Sequence, residues 1–174
     1  MPAKRKTAGR DKIRRIGIST GGGDAPGLNA VIRAVVLAGH NHGWEVVGIR
    51  DGYNGIFLPD QYRDGGLIPL TPEAVRGITH LGGTTIGTTN AGNPLKYPVK
   101  QPDGTVAEVD RTDELVKALD ANGIDAVVAV GGDGSLTIAN ALAKKGVRIV
   151  GVPKTIDNDL SRTVVTFGFD TAVS

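Results

Sequence analysis

The sequence lacks cysteine, has few aromatic residues and contains no long apolar run. With no cysteine there can be no disulfides or thiolate metal sites, which favours a cytoplasmic protein. No apolar segment approaches the ~18 residues of a membrane span, and the N-terminus has no apolar signal region. We therefore expect no membrane association and no secretion. The abundant residue is glycine, 26 of 174, with 40% hydrophobic content, which is typical of an α/β domain.

The positive charge is concentrated at the N-terminus. The formal net charge is +2, but residues 1–15 hold seven basic residues and one acidic residue, so the remainder carries a net charge of −4. A short basic arm is most often a solvated terminus, and nucleic-acid binding is the minority interpretation. We predict that residues 1–14 form a disordered tail, that residues 15–174 form the folded domain, and that the protein does not bind nucleic acid.

Predicted strands and helices alternate along the folded part. Residues 51–70 resemble a loop, a short helix is expected to start at Thr71, and residues 96–104 resemble an exposed excursion. Strands separated by helices imply a parallel sheet, here a doubly wound, Rossmann-like α/β fold with helices on both faces. The periodicity predicts strands at 15–20, 44–50, 124–130 and 148–152, and helices at 25–40, 112–122 and 135–145.

A glycine-rich turn follows the most apolar predicted strand. Residues 131–135 read Gly-Gly-Asp-Gly-Ser, at the strand end where open α/β sheets bind their ligands. The glycines allow the backbone to approach an anion, and Asp133 supplies a hard oxygen ligand. The helix expected to begin near Ser135 directs its free N–H groups to the same place. This combination suits a magnesium-bound polyphosphate.

A second glycine-rich turn follows the first predicted strand. Residues 20–27 read Thr-Gly-Gly-Gly-Asp-Ala-Pro-Gly and lead into a helix. The turn is neither a Walker loop nor the G-x-G-x-x-G fingerprint. Taken alone it is equally consistent with a tight connection, but two such turns at strand ends favour a binding site.

Two carboxylates lie close together after the last predicted strand, in residues 155–159, Thr-Ile-Asp-Asn-Asp. Alternate residues of an extended chain point the same way, so Asp157 and Asp159 could converge on one hydroxyl, with Thr155 beside them. The alternative is an Asx turn that only reverses the chain. A carboxylate beside a phosphoryl donor is what transfer to an alcohol requires.

Four motifs together resemble the 6-phosphofructokinase family. The resemblance extends from about residue 15 to the end of the chain. It implies phosphorylation of the 1-hydroxyl of fructose 6-phosphate by ATP and Mg²⁺, a step of glycolysis, in an enzyme that is a homo-oligomer at full length. The motifs are residues 16–30, 131–135, 153–159 and 167–172.

The same resemblance implies roles for individual residues. Asp157 matches the proton acceptor, Thr155 and Asp159 match its sugar-contacting and supporting neighbours, and Ile156 lies between them on the sugar side. Asp133 matches the magnesium-linked aspartate. The positions that match the donor side are Gly23, Tyr53, Asn90, Ala91, Gly132, Asp133, Gly134 and Ser135. Tyr53 matches an aromatic residue beside the adenine, but on the sequence alone it is equally consistent with core packing.

Two positions bear on the choice of donor. The resemblance implies ATP where the residue after the magnesium aspartate is glycine, as Gly134 is here, because an aspartate would fill the space and repel the α-phosphate. Lys154 is shared with diphosphate-dependent members and with a mixed ATP-dependent subgroup. We give Gly134 more weight and expect ATP. The diphosphate-dependent enzyme is the alternative.

The sequence also departs from the family pattern. Asn90 or Ala91 stands where many members have an arginine near the transferred phosphate, with Lys96 as the nearby cation. Leu37 replaces one of two effector arginines, while Arg33 is kept, which puts the familiar allosteric control in question. Family members are about twice as long, so the resemblance covers an N-terminal portion. An inactive nucleotide-binding module therefore remains an alternative, and a kinase of the NAD or lipid type is a more distant one.

Overall fold

The computed structural model describes residues 12–174, and residues 1–11, which carry most of the basic arm, lie outside the described part. Ile13 already packs against the core, and the backbone N–H of Arg14 donates to Asp125 at 2.9 Å. The strands are β1 (Arg15–Thr20), β2 (Glu45–Ile49), β3 (Leu67–Leu70), β4 (Tyr97–Lys100), β5 (Val106–Val109), β6 (Ala126–Gly131) and β7 (Arg148–Pro153).

Within this range, five strands form one sheet in the order β3-β2-β1-β6-β7, and β4 pairs with β5 as a separate hairpin. The β1–β2, β1–β6 and β6–β7 pairs are parallel. β3 pairs antiparallel with β2, in a segment that the sequence predicts as a loop. Positive φ angles of 70° at Gly65 and 79° at Gly66 reverse the chain before it, and Pro69 suits an edge strand.

Helices cover both faces of the sheet, which confirms the predicted α/β fold. Adjacent residues of a strand point to opposite faces, and accordingly Val46 belongs to one apolar core and Val47 to the other. No helix within residues 12–174 is long and apolar enough to span a bilayer. The helices are α1 (Leu28–Asn41), α2 (Asn54–Phe57), α3 (Thr112–Ala121), α4 (Asp133–Lys144) and α5 (Phe169–Val173).

Amphipathic periodicity positions the main helices. Leu28, Ile32 and Val36 recur along one side of α1 and are buried against β1 and β2. Leu115 and Leu119 of α3 are buried in the second core, as the sequence predicts.

Two local predictions are wrong. The segment after Thr71 is a run of turns rather than a helix, because Gly77, at a φ of 76°, leaves the helical conformation within two turns. The predicted excursion at 96–104 is by contrast mostly exposed, and it contains β4 and the hairpin turn to β5. α4 begins at Asp133 instead of Ser135, since Gly132 has extended backbone (φ −82°, ψ −164°) and an acidic residue suits the first helical turn.

The direction in which successive strands are added to the sheet changes between β1 and β6. β1 leads through α1 to β2 on one side, whereas β6 leads through α4 to β7 on the other. The parallel register pairs Thr20 with Val130 and Gly131 with Pro153, so the carboxyl ends of β1, β6 and β7 are adjacent. The crevice at such a switch point is where open α/β sheets bind ligands.

Candidate functional site

Three loops meet at the carboxyl ends of β1, β6 and β7. They are the first glycine turn (residues 21–27), the second glycine turn (132–135) and the segment 154–159, which we call the Asp157 segment. A cavity of about 240 Å³ opens beside the two glycine turns. Of the predicted site residues, it is lined by Tyr53, Asn90, Ala91, Gly132, Gly134 and Ser135.

The remaining predicted residues lie outside the lining of this cavity. Gly22, not Gly23, is the residue of the first turn that contributes with Gly21 to the wall. Asp133 is exposed on the first turn of α4, between two lining glycines. The Asp157 segment follows β7 and meets the first glycine turn through Lys154.

Gly21 and Gly131 pack directly against the side chain of Ser135. A Cβ at Gly21 would lie 2.5 Å from the Ser135 hydroxyl, and one at Gly131 would lie 2.6 Å from the Ser135 Cβ. Neither position can carry a side chain without moving its neighbours. The close approach of β1, β6 and α4 at the site therefore depends on these two glycines.

Gly134 has the opposite environment. A Cβ built at this position meets no atom within 4 Å, and the residue lines the cavity. A larger side chain would therefore extend into open space beside the second glycine turn rather than clash with protein. Gly23 is similarly open, with no atom within 4 Å of a Cβ position.

Two buried hydroxyls at the end of β1 hold the loops that form the far wall. Ser19 donates to the carbonyl of Gly52 at 2.9 Å, next to Tyr53. Thr20 donates to the carbonyl of Gly87 at 2.7 Å. Both loops are thereby attached to the strand that carries the first glycine turn. These hydroxyls were not predicted from the sequence, although their place at a strand end is a signal for them.

The first glycine turn is fixed by bonds from two directions. The N–H of Gly21 donates to Val130 at 2.9 Å, and that of Gly22 donates to the carbonyl of Thr89 at 3.1 Å. The hydroxyl of Thr88 donates to the carbonyl of Gly22 at 2.6 Å. The threonine-rich stretch at 82–93 thus supports the turn, a role that was not predicted from the sequence.

Lys154 reaches the same turn from the other side. Its ammonium donates to the carbonyl of Gly23, and the residue is only 3% exposed. Burial lowers the pKa of this ammonium, while the carboxylates of Asp24 and Asp157 act in the opposite direction. Lys154 is therefore a cation located between the first glycine turn and the Asp157 segment.

The Asp157 segment is held by threonine and asparagine side chains. The Thr155 hydroxyl donates to Asp159 at 2.9 Å and accepts from the N–H of Asp157 at 3.1 Å. Asn158, at a φ of 51°, donates to Val164 at 3.2 Å and accepts from the N–H of Thr166 at 3.2 Å. Within residues 12–174, the Asp157 carboxylate makes no hydrogen bond of its own.

The hydrogen bonds of the Asp157 segment bear on the alternative that its carboxylates only form an Asx turn that reverses the chain. The side chain that caps the turn after β7 is Thr155, and the amide of Asn158 closes the loop. Asp157 is exposed and electrostatically coupled to Lys154. Its carboxylate is available to a ligand, and Ile156 beside it is also exposed.

Asp133 is the residue that could hold a magnesium ion. Among the described residues, no three acidic or histidine side chains come together in a way that could bind a metal. A single carboxylate still fits Mg²⁺, which commonly takes one or two carboxylates, waters and substrate phosphates. Asp133 lies in the first turn of α4, between Gly132 and Gly134, and the space beside Gly134 is open.

Tyr53 lines the cavity but is largely buried, with 7% exposed. Its hydroxyl has no hydrogen-bond partner in the described part of the chain. Burial raises the pKa of this phenol above its usual value. Tyr53 also belongs to the core cluster that includes Phe57 and Tyr97, so it contributes to both the cavity wall and the core.

Lys96 differs from Asn90 and Ala91 in its position relative to the cavity. The Lys96 ammonium lies 3.9 Å from Glu108 in an exposed pair, and the residue is outside the cavity lining. Asn90 and Ala91 do line the cavity. Among the described lysines and arginines, Lys154 is the one that contacts the first glycine turn.

An open α/β sheet with glycine turns at adjacent strand ends is the arrangement of a phosphate- or nucleotide-binding protein. Comparison with known proteins narrows this class, because the family profile "Phosphofructokinase" matches residues 15–174. The chain belongs to the phosphofructokinase family.

Named relatives of both donor classes are similar to this chain. It is 47% identical to ATP-dependent 6-phosphofructokinase 2 of Clostridium perfringens, over 92% of this chain and 42% of that protein. It is 45% identical to a pyrophosphate–fructose 6-phosphate 1-phosphotransferase of Amycolatopsis methanolica, over 91% of this chain and 42% of that protein. The chain thus spans less than half the length of these relatives.

A solved structure shows the same fold. Pichia pastoris phosphofructokinase in the T-state superposes with a TM-score of 0.73 and 34% identity, over 91% of this chain and 17% of the yeast chain.

Proposed function

We propose that this chain supplies the donor side and the catalytic base for phosphorylation of fructose 6-phosphate by ATP, which yields fructose 1,6-bisphosphate. The observation that carries the proposal is the meeting of three loops at adjacent strand ends, with Asp133, Lys154 and Asp157 on two of them. Relatives named as 6-phosphofructokinases support it. A cytoplasmic location and assembly into a homo-oligomer at full length remain predictions.

The glycine turns suit the donor phosphates. The N–H groups of the first turn of α4 are free of intrahelical partners and face the carboxyl ends of the strands, where the helix dipole favours an anion. Asp133 would hold Mg²⁺, which would neutralise charge on the β- and γ-phosphates. Tyr53 would contact the base of the nucleotide with its ring.

Asp157 is the proposed general base. Its carboxylate takes the proton of the sugar 1-hydroxyl as that oxygen bonds to the γ-phosphorus and the bond from the γ-phosphorus to the bridging oxygen breaks. Thr155 fixes the backbone of Asp157 and the carboxylate of Asp159. Ile156 and Thr155 would contribute to the sugar side. The buried ammonium of Lys154 adds positive charge beside the phosphates.

The donor preference rests on Gly134. Open space at this position leaves room for an α-phosphate, which only a nucleotide donor has. The identities of 47% and 45% to ATP- and diphosphate-named relatives are too similar to decide between the donors. We therefore propose ATP on the local geometry, with diphosphate as the second candidate because Lys154 suits either donor.

The test is a coupled assay for fructose 1,6-bisphosphate on two proteins. One is the 174-residue chain, and the other joins residues 15–174 to the remaining C-terminal portion of the Clostridium perfringens relative. We expect ATP-dependent turnover from the joined protein and none from the chain alone. A folded joined protein that binds Mg-ATP without turnover would support the inactive nucleotide-binding module instead.

A further inference from the structure

The contact between Lys154 and Gly23 joins two parts of the site that are 131 residues apart in the sequence. We propose that Lys154 is a positioning residue that ties the first glycine turn to the Asp157 segment and so fixes the spacing between the donor loop and the base. The role of this contact in positioning the donor loop and the base rests on the proposed function. The contact itself is present in the chain without a ligand.

The hydrogen bonds at Gly21 and Gly22 come from one side of the first glycine turn, and the bond at Gly23 comes from Lys154. Gly21 and Gly22 are held by Val130, Thr88 and Thr89, all from the β6 and 82–93 side. In the described part of the chain, the Gly23 carbonyl is bonded only by Lys154. Gly23 also has no atom within 4 Å of a Cβ position, so packing does not restrain it. Gly23 therefore depends on the lysine, whereas Gly27 at the end of the turn packs against Phe167.

The burial of Lys154 shows that the contact is specific. A lysine residue that is 3% exposed has lost much of its hydration, which is unfavourable unless an acceptor replaces the water. Here the acceptor is the Gly23 carbonyl, and the negative charges of Asp24 and Asp157, one from each connected loop, favour the charged form of the lysine. A lysine that served only as a flexible surface charge would keep its head group in solvent.

The backbone of Lys154 is also fixed, by a hydrogen bond to the end of β6. Its N–H donates to the carbonyl of Gly131 at 3.0 Å, which continues the β6–β7 pairing beyond Pro153. The side chain therefore starts from a fixed point on the sheet and ends on Gly23 of the first glycine turn. One residue connects the end of β6, the first glycine turn and the Asp157 segment.

The absence of cysteine makes a matched test possible. In a Lys154→Cys chain, the single thiol is alkylated in denaturant either to an aminoethyl group, which restores an ammonium at lysine length, or to a propyl group of the same length without charge. Both products are refolded, and amide hydrogen exchange is followed by NMR without any donor. The reporter is the Gly22 N–H, which is bonded to Thr89.

We expect Gly22 to exchange about tenfold faster or more in the propyl protein than in the aminoethyl protein, since a hydrogen bond from a charged group is lost. The N–H of Ile124, bonded to Leu119 at the opposite end of the sheet, should exchange equally in both. Equal Gly22 rates would overturn the proposal, as would a uniform change at Gly22 and Ile124, which indicates only general destabilisation.

A directly expressed Lys154→Met chain provides the same comparison if the alkylated proteins do not refold, with Lys117→Met on the exposed side of α3 as the matched loss of charge. Faster exchange at Gly22 in Lys154→Met alone supports the tie, and equal rates in both variants overturn it. Neither result depends on phosphotransferase activity, so failure of the proposed function would leave this test unaffected.

Discussion

Gly27 and Phe167 are in direct contact, so that a Cβ added at Gly27 would lie 2.6 Å from a ring carbon of Phe167. Gly27 precedes α1 at a φ of 101°, in the left-handed region. One glycine therefore satisfies two requirements, a backbone conformation and a close approach. The contact connects the end of the first glycine turn to the segment that follows the Asp157 segment.

Gly27→Ala is expected to destabilise the chain by about 3 kcal/mol, because left-handed strain and overpacking against the ring act together. Gly43→Ala is the matched control, since Gly43 has a φ of 71° but no atom within 4 Å of its Cβ position. It should cost only about 1 kcal/mol. Urea denaturation measures both, and equal losses would show that Phe167 moves aside freely.

Gly134→Asp is expected to reduce the use of ATP relative to diphosphate in the joined protein. The carboxylate would occupy the open space beside the second glycine turn and repel an α-phosphate. Gly134→Ala is the control, because a methyl group fits the same space without charge. Side-by-side rates with both donors measure the ratio. Wild-type turnover with diphosphate at or above that with ATP would contradict the proposed donor.

Asp157→Asn should lower kcat of the joined protein by about 10²-fold or more, the usual scale of general base catalysis, with little change in ATP affinity. Within residues 12–174 the carboxylate makes no hydrogen bond, so the fold should tolerate the amide. Thermal unfolding of the variant checks this point. A near-normal kcat would leave Asp157 with a role in the loop alone.

Tyr53→Phe should leave the chain as stable or more stable by about 1 kcal/mol, because it removes a buried hydroxyl that has no partner among the described residues. The pH dependence provides a second check. Burial raises the pKa of Tyr53, so the folded state keeps its proton where the unfolded chain releases it. Wild-type stability is therefore retained below the ordinary tyrosine pKa of about 10 and falls above it.

The Phe variant should lose less stability over the same alkaline range. Tyr62 contributes a separate alkaline loss, since burial and its hydrogen bond to Asp51 raise its pKa to about 12. Tyr62→Phe therefore serves as a comparison. Identical alkaline profiles for wild type and Tyr53→Phe would mean that the Tyr53 hydroxyl reaches water.

The isolated 174-residue chain is expected to self-associate. Val150 on the edge strand β7 is 63% exposed and Val164 is 95% exposed, and an open strand edge beside apolar side chains favours association. Val150→Thr together with Val164→Ser should shift sedimentation towards monomer without lowering the unfolding midpoint. A monodisperse wild-type monomer would contradict this expectation.

The sequence predicted most of the parallel part of the sheet. β1 was assigned at its observed bounds, and the buried stripe of α1 followed from helical periodicity. β3 was missed because four residues that include Pro69 give no alternating pattern. The start of α4 was placed two residues late, since glycine at position 134 disfavours a helix when only propensity is considered.

The location of the site was predictable from the two glycine turns and the Asp157 segment, but the contacts that support these loops were not. Thr88 contacts Gly22 across 66 residues, and Lys154 contacts Gly23 across 131. Such pairings depend on which strands become neighbours, and local propensity does not determine this. The orientation of the Tyr53 ring and hydroxyl also follows from core packing with residues far along the chain.

The pairing of β1 with β6 has a consequence for how the protein is made. β1, α1, β2 and β3 are close in sequence and can assemble as the ribosome releases them, but β6 begins at Ala126, more than a hundred residues after β1. Closing so long a segment is slow compared with local contacts. Until β6 arrives, one edge of β1 has no partner strand and its apolar side chains are uncovered. The nascent chain is therefore most vulnerable to misassembly during the synthesis of residues 71–125, and the binding crevice forms last.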